Sequence, residues 1–450
     1  MLKDVLTWLF KRYEEQNLEY CILRNYKELP EKNIGNDIDI LIDEKKIKEN
    51  QVILKEMCDL FSLKCIRVAK RQYVHQYYFI STEKVDYSVL QLDFQFNGEW
   101  RGLIYLKGQD ILKDRKKYKN FYIPCPEHEA LISYFASLVW GGFVKERYSN
   151  SIAETVIKNK SKFFKLLKGI TGKEIACNII DLILIGEISE TSKYASLIRK
   201  RLVFNSLFFN PRLISTVKRI FLFYWYEFKI RLNPPGFFLV LIGPDGCGKT
   251  TISEALLKTT SPYFKREFSS YFHWRPRILP ELGQLFRKKK TESNNAIIQN
   301  PHAKKPNGFF GSLFRLCYFT VDFIIGYWIK FNLSLRKSGL LLVDRYYYDF
   351  FVDQKRYRMN ISKRIVKILF TFVPKPDLVI YLDNTPENLY QRKKELSFDE
   401  LKRQITCFKE LKLITKNFKE VKTDKSLEET LSDVTEEIIN TMIEKAKEKF

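Results

Sequence analysis

Gly243–Pro244–Asp245–Gly246–Cys247–Gly248–Lys249–Thr250–Thr251 fits the pattern G-x-x-x-x-G-K-[ST] of a phosphate-binding loop. The apolar run from Phe237 to Ile242 before it reads as a buried strand. The segment after it, with Ile252, Ala255, Leu256 and Leu257, reads as a helix with one apolar face. Motif and context agree. The glycines let the backbone curl so that its N–H groups point inward at phosphate oxygens. The start of the following helix adds partial positive charge at the same place. In this pattern Lys249 bridges the terminal phosphates of a nucleotide and the Thr250 hydroxyl binds Mg²⁺.

The chain has 450 residues, enough for two or three domains, with the apolar and aromatic content of a globular protein. Its formal net charge of +24 suits a protein that handles anions: nucleotides, phosphorylated substrates, an anionic membrane surface or nucleic acid. The eight cysteines are scattered, without a C-x-x-C pair, so no zinc framework or disulfide scaffold is expected. A reduced setting fits them. Asp4, Lys11, Arg12 and Glu14 come too early for a signal-peptide core. The best candidate for a membrane span, Leu313 to Leu335, is broken by Arg315, Asp322 and Lys330 and reads as a buried helix. A cytoplasmic location, or one at the membrane periphery, is expected.

In the first 125 residues, Leu2, Val5, Leu6, Leu9, Phe10 and Tyr13 follow helical spacing, and Tyr20 to Leu23 reads as a short strand. After a loop marked by Pro30, Asn33 and Gly35, the run Asn36 to Ile42 alternates strictly, which puts Asp37 and Asp39 on one strand face and the isoleucines on the other. Leu90 to Phe96 alternates again, with Gln91, Asp93 and Gln95 on its polar face. Two same-face carboxylates can hold Mg²⁺ between them and a substrate phosphate, and a third on a neighbouring strand completes a two-metal site.

This D-x-D pair with a third strand carboxylate resembles the nucleotidyltransferase superfamily over residues 18–100. The resemblance implies an α+β domain and metal ligands at Asp37, Asp39 and Asp93. The family usually carries Gly-Gly or Gly-Ser on the turn after the first strand, where this chain has Arg24–Asn25. An active transferase, a degenerate binding module and a coincidental strand edge all remain open.

Residues 126–233 read as a helical connector. Pro126 to Trp140 shows an apolar face of Leu131, Ile132, Tyr134, Phe135, Leu138 and Val139, stopped by Gly141–Gly142. Further on, Ile220, Phe221, Phe223, Tyr224 and Trp225 are flanked by Lys218, Arg219, Lys229 and Arg231. Such a helix either lies on a membrane surface or packs between domains. Packing within the chain is the expectation, because apolar helix faces are usually buried against their own protein. Asn233–Pro234–Pro235–Gly236 then forms a linker turn.

From 234 to 450, two further stretches join the phosphate loop. Leu340 to Tyr346 is a buried strand ending in Asp344–Arg345 at its C-terminal edge, where open α/β sheets bind ligands. Asp344 is suited to the Mg²⁺ shell and Arg345 to clamping a transferring phosphate. Pro376 to Asp383 is another buried strand, followed by Asn384–Thr385–Pro386–Glu387 opening a helix that runs into Arg392, Lys393 and Lys394. A basic lid of this kind excludes water during phosphoryl transfer.

This trio, in this order, resembles thymidylate kinase and its relatives. The family's G-x-D-G-x-G-K-[ST]-T loop, D-R-[YH] strand end and P-D-L-x-x-x-L-D strand match Gly243 to Thr251, Asp344–Arg345–Tyr346 and Pro376 to Asp383. Glu420 to Asp424, with Leu427 to Ile439, resemble its closing strand and helix. The resemblance implies a parallel-sheet α/β P-loop kinase that uses ATP and Mg²⁺, with Lys249, Asp344, Arg345, Arg392 and Lys393 as its catalytic set and a small-molecule phosphate acceptor as its partner.

The departures fall on the acceptor side. The position of the family's monophosphate-gripping Arg holds Phe323, after Asp322. Past Asp344–Arg345–Tyr346 stand Asp349, Asp353 and Gln354, of which only the Gln matches. His273–Trp274–Arg275–Pro276 replaces the family's R-E-P loop. Donor chemistry is therefore expected intact and thymidylate recognition rebuilt. Asp349 and Asp353 either hydrogen-bond sugar hydroxyls or are only surface charges on a loop. His273 is expected to be a packing residue. Arg287–Lys288–Lys289–Lys290 reads as a solvated loop, and no nucleic-acid binding is expected because no stacking pattern accompanies the charge.

The expected activity is transfer of the γ-phosphate of ATP to a nucleoside monophosphate or related acceptor. Three alternatives stand beside it. One is a kinase of a sugar or glycan intermediate, since fusions of these two module types look like accessory proteins of surface-polysaccharide synthesis. The others are nucleotidyl transfer by the N-terminal domain and a non-catalytic nucleotide-binding scaffold.

Overall fold

The computed structural model describes residues 1–33, 37–81, 89–208, 213–282, 305–394 and 396–450. Gly35, Asn36, the basic run Arg287–Lys290, Asn294, Asn295 and Pro301 lie outside the described residues. The chain divides into two compact units, Met1–Ile230 with Lys445–Phe450, and Arg231–Glu444.

The first unit is built on a mixed sheet of β1 (Tyr20–Ile22), β2 (Ile38–Ile42), β3 (Leu63–Lys70), β4 (Val74–Ser81) and β5 (Leu90–Gln95), in the order β1-β2-β5-β4-β3. Only β2 and β5 run parallel, and their register sets Asp39 opposite Asp93. The alternation of β2 divides its side chains between two cores. Ile38, Ile40 and Ile42 pack with Val5, Leu6, Leu9 and Phe10 of the helix Leu2–Glu15. Leu41 packs on the opposite side with Leu131, Phe135 and Leu138 of the helix Pro126–Gly141. Proline opens that helix at its first turn, and Gly142, at φ 81°, closes it in the left-handed conformation that a side chain resists.

Two hairpins, β6 (Gly98–Trp100) with β7 (Leu103–Leu106) and β8 (Lys116–Tyr118) with β9 (Phe121–Ile123), connect the sheet to the helices. The helices of 126–208, expected as a connector, share one core with Cys21, Leu23, Leu41 and Trp100 and belong to the same unit as the sheet. Their apolar faces cover the sheet face that would otherwise meet water.

The second unit is an α/β domain on a fully parallel sheet. It comprises β10 (Phe237–Ile242), β11 (Ser270–His273), β12 (Leu340–Asp344), β13 (Leu378–Asp383) and β14 (Phe418–Lys422), ordered β11-β12-β10-β13-β14. β10 and β12 are buried along their whole length and apolar but for Asp344, as strands covered on both faces must be. Because all five run the same way, Ile242, Asp344 and Asp383 end at one edge of the sheet, with β10 between β12 and β13. From β10 the chain leads to β11 on one side, and from β12 it crosses to β13 on the other; such a switch point is where open α/β sheets bind ligands.

The segment expected as a buried helix is the helix Phe309–Gly326, a π-turn Tyr327–Phe331 and the helix Asn332–Arg336. By length and composition 309–336 is apolar enough to cross a membrane. Leu316, Phe319, Phe323, Phe331 and Leu335 are buried in the core beside the sheet, whereas Phe310, Phe314, Trp328 and Ile329 are exposed. The helix is thus buried on one face and not all round, because the sheet covers only the residues that face it.

Candidate active site

The site of the second unit starts where β10 ends. Gly243 through Gly248 curl back to the helix Lys249–Thr259, whose first residue is Lys249. Gly246 and Gly248 hold φ of 88° and 91°, and Gly246 lies so near the basic segment that a Cβ there would meet Lys393 Cβ at 3.4 Å and Arg392 Cβ at 3.7 Å. Arg392 and Lys393, expected as a lid, therefore lie against the phosphate loop.

Lys249 is 6% exposed. Its Nζ donates to the carbonyl oxygens of Gly243 and Pro244, both at 2.8 Å, and stands 3.9 Å from Asp245 Oδ1. The ammonium is thus held inside the curl of the loop by the loop's own carbonyls. Burial raises the Cys247 thiol pKa beside it, against the pull of Lys249.

Asp344, at the end of β12, is 1% exposed. Its Oδ2 is 3.2 Å from His273 Nδ1 on the neighbouring strand, while its Oδ1 is buried with no hydrogen-bond partner. The Tyr271 hydroxyl lies within reach of both Asp344 and Thr250. Its pKa is raised, first by burial and then by the Asp344 carboxylate. An orphaned carboxylate oxygen in a buried place costs about 1–3 kcal/mol. Together with the Thr250 hydroxyl it supplies the hard oxygen ligands that Mg²⁺ takes, so these residues fit that ion. His273, expected as a packing residue, is half exposed and sits on this carboxylate.

Arg345 follows with φ 57°, a left-handed conformation uncommon for a residue with a side chain, and turns its guanidinium back to the phosphate loop. It is paired with Asp245, and its Nη1 is 3.9 Å from Asp349 Oδ2. Arg356 completes a chain of alternating charges, with Nη2 donating to Asp245 Oδ2 at 2.6 Å and Nε to Asp353 Oδ2 at 3.1 Å. Asp349 and Asp353 are therefore not surface charges. Both are buried, and Tyr357 donates to Asp349 Oδ2 at 2.8 Å. Burial raises the pKa of Asp349, with Arg345 opposing.

The acceptor side differs in the same measure. Phe323 is fully buried against Tyr346, Tyr347 and Phe350, so an apolar ring stands where a phosphate-gripping guanidinium was sought. Gln354 uses its Oε1 to accept from the Ile361 backbone N–H at 3.0 Å. Arg275 is buried and bound to Asp322 at 2.8 Å.

In the first unit Asp37, Asp39 and Asp93 come together, with carboxylate oxygens within 4.8 Å of one another, on the wall of a cavity of about 290 Å³. Asp39 accepts from Arg24 Nε and from Gln95 Nε2, both at 2.6 Å. Asp93 accepts from Gln76 at 2.6 Å and from Gln91 at 2.8 Å. Burial pushes the Asp93 carboxyl up to about 7, with Asp39 and then Asp37 adding to it and the two amides opposing. Arg24, on the turn where a glycine pair was sought, has its pKa raised; burial works against this, and Asp39 outweighs it. The carboxylates fit a divalent cation, but Arg24 already neutralises one of them.

Tyr271 and Arg356 were not anticipated. Their partners stand far along the chain, Arg356 and Asp245 being 111 residues apart, and no local pattern marks such a pair.

Residues 242–434 match the protein-family model for thymidylate kinase. Among solved structures, the thymidylate kinase from Ehrlichia chaffeensis is similar, with 18% identity and a TM-score of 0.31, over 45% of this chain and 98% of that one. No curated protein sequence matches the chain. The family match falls on the second unit and takes in the end of β10, the phosphate loop, Asp344–Arg345 and β13, the parts of a P-loop phosphotransferase.

Proposed function

We propose that the second unit transfers the γ-phosphate of ATP to a small acceptor, a nucleoside monophosphate or a related molecule. The observation that carries this reading is the gathering of Lys249, Thr250, Asp344, Arg345, Arg392 and Lys393 around one phosphate loop at one sheet edge. The backbone N–H groups and Lys249 would hold the donor phosphates. Thr250 and Asp344 would hold Mg²⁺, which supplies charge neutralisation on the phosphates when bound. Arg345 would leave Asp245 for the transferring group, and Arg392 with Lys393 would shield it from water. In-line transfer rests on position and electrostatics, so the lack of a dedicated base is no obstacle.

Phe323 and the occupied Gln354 favour a second reading of the acceptor, a sugar or glycan intermediate. A site with no polar groups aimed at thymine cannot reward thymine. ATP consumption with full-length protein, measured with thymidylate, other nucleoside monophosphates, hexoses and heptoses, decides between them. Turnover with a monophosphate supports the first reading, turnover with a sugar alone supports the second, and none with any acceptor speaks against a kinase of either kind.

We further propose that the helix Leu213–Leu232 rests on an anionic membrane. Its inner side is fixed to the rest of the first unit by buried Phe223, stacked on Tyr73 and tilted against Trp140, and by the pairs Arg219–Glu99 and Arg71–Glu227. Its outer side carries Ile214 (87% exposed), Val217, Phe221 (65%), Tyr224, Trp225 and Phe228 at helical spacing, with exposed Lys218 and Lys229 beside them. The expectation of a face packed within the chain thus holds for Phe223 and fails for Phe221, Tyr224 and Trp225. An apolar stripe with basic flanks is the pattern of an interfacial helix. The full chain should sediment with vesicles containing phosphatidylglycerol and leave phosphatidylcholine vesicles in solution. Phe221→Glu with Trp225→Glu should abolish that binding; equal binding by this variant would refute the assignment.

A further inference from the structure

We propose that Asp114, Cys125 and His128 form a zinc site, separate from the aspartate cluster of the same unit. Asp114 follows the helix Gly108–Lys113 and stands two residues before β8. Cys125 follows β9 and begins the helix Pro126–Gly141, in which His128 lies one turn further on. The β8–β9 hairpin returns the chain on itself, and the three ligand atoms lie within 4.8 Å of one another. A tetrahedral zinc with bonds of roughly 2.0–2.3 Å draws such atoms together by a small contraction.

A second observation points to a ligand. His128 is 4% exposed, and its Nδ1 is buried without a hydrogen-bond partner. A buried imidazole nitrogen left unpaired costs about 1–3 kcal/mol, and coordination by its lone pair would remove that cost. Cys125 is buried as well, and Asp114 is exposed. The donor set selects the metal. Thiolate and imidazole suit zinc, whereas Mg²⁺ takes oxygen ligands.

The site has three protein ligands and stands on the wall of a cavity of about 1090 Å³, which Asp114, Cys125 and His128 help to line together with Lys162 and Lys165. The fourth position therefore opens into that cavity, for water or an anionic group held beside the lysines. Bound metal would also tie the two ends of the β8–β9 hairpin to the first turn of the helix Pro126–Gly141.

The test is metal content and cobalt substitution in full-length protein. Protein purified without added metal should contain one zinc per chain. After chelation and loading with Co²⁺ it should show a thiolate-to-cobalt charge-transfer band. Cys125→Ser should lose that band, and Cys125→Ser and His128→Gln should each weaken zinc binding roughly tenfold or more, since even outer partners of a ligand are worth 10–100-fold. Asp114→Asn, at an exposed position that leaves packing intact, should weaken it in the same direction. Asp37→Asn with Asp93→Asn should leave zinc affinity and the cobalt band unchanged. Absence of zinc affinity in the parent protein, full affinity in the Cys125 and His128 variants, or loss of the band in the aspartate double variant would each overturn the assignment.

Discussion

Replacing Lys249 with alanine should lower phosphoryl transfer by about 10²–10³-fold or more, the loss seen when one preorganised charge-stabilising donor is removed from an active site. The ammonium is 6% exposed and enclosed by the loop that cradles phosphate. In that setting its charge is worth far more than in water. The fold should survive the change. The Gly243 and Pro244 carbonyls each lose one donor at 2.8 Å, at a net cost of about 1 kcal/mol apiece. Lys249→Arg should not restore the rate, because a planar fork does not replace a compact ammonium between two carbonyls. Single-turnover transfer to whichever acceptor the parent enzyme accepts is the measurement, with thermal unfolding as the control for folding. An unchanged rate in Lys249→Ala would remove the phosphotransferase assignment. No turnover in either protein, with nucleotide binding kept in the parent, would instead leave a nucleotide-binding scaffold.

The phosphate loop was legible in the sequence because its chemistry is contiguous. One run of nine residues carries the glycines, the lysine and the hydroxyl, and the apolar strand before it says where it sits. Asp344–Arg345 and Asp383 were legible for the same reason, each closing a buried parallel strand. What local pattern could not supply was pairing at a distance. Asp349 and Asp353 are buried only because Arg345 and Arg356 neutralise them around Asp245. In isolation each reads equally well as a surface charge. The helices had the same limit. Periodicity defined an apolar face on Pro126–Gly141 but not that the N-terminal sheet covers it. On Leu213–Leu232 it defined apolar residues but not which of them face water. Phe223 is buried and Phe221 exposed two positions away, a difference set by Tyr73 and Trp140 from other parts of the unit. The Asp114, Cys125 and His128 cluster was invisible for a related reason. Its spacing matches no zinc pattern, and only the β8–β9 hairpin brings Asp114 to the other two.

Asp322→Ala should destabilise the second unit by about 3–5 kcal/mol, the cost of breaking a buried ion pair from one side. Asp322 is fully buried and Arg275 nearly so. Asp322 Oδ2 accepts from Arg275 at 2.8 Å, and Oδ1 accepts from the backbone N–H groups of Ile278 and Leu279 at 2.9 and 2.7 Å. Removing the carboxylate orphans a guanidinium and two amides at once. The Leu279 carbonyl, at 3.0 Å from Arg275 Nη1, offers the guanidinium one dipole in place of a charge. Asp322→Asn keeps an acceptor for the two amides but replaces the Oδ2 that accepts from Arg275 with an NH₂ that cannot, so it should fall between parent and alanine. Urea unfolding of the full chain, followed by hydrogen exchange so that the loss is located to unit 2, measures the effect. Exchange at Ile278 and Leu279 should rise first. A loss below about 1 kcal/mol would mean that water reaches the pair and that it behaves as a surface salt bridge. The same carboxylate links stability to the proposed activity. It fixes Arg275, and with it the segment 273–276 that stands in place of the acceptor-side loop. Loosening that segment should therefore disturb the acceptor side while Lys249 and its loop stay in place. In Asp322→Asn, the variant expected to remain folded, KM for the acceptor should rise while KM for ATP holds. A matching rise for ATP would place the 273–279 segment on the donor side instead.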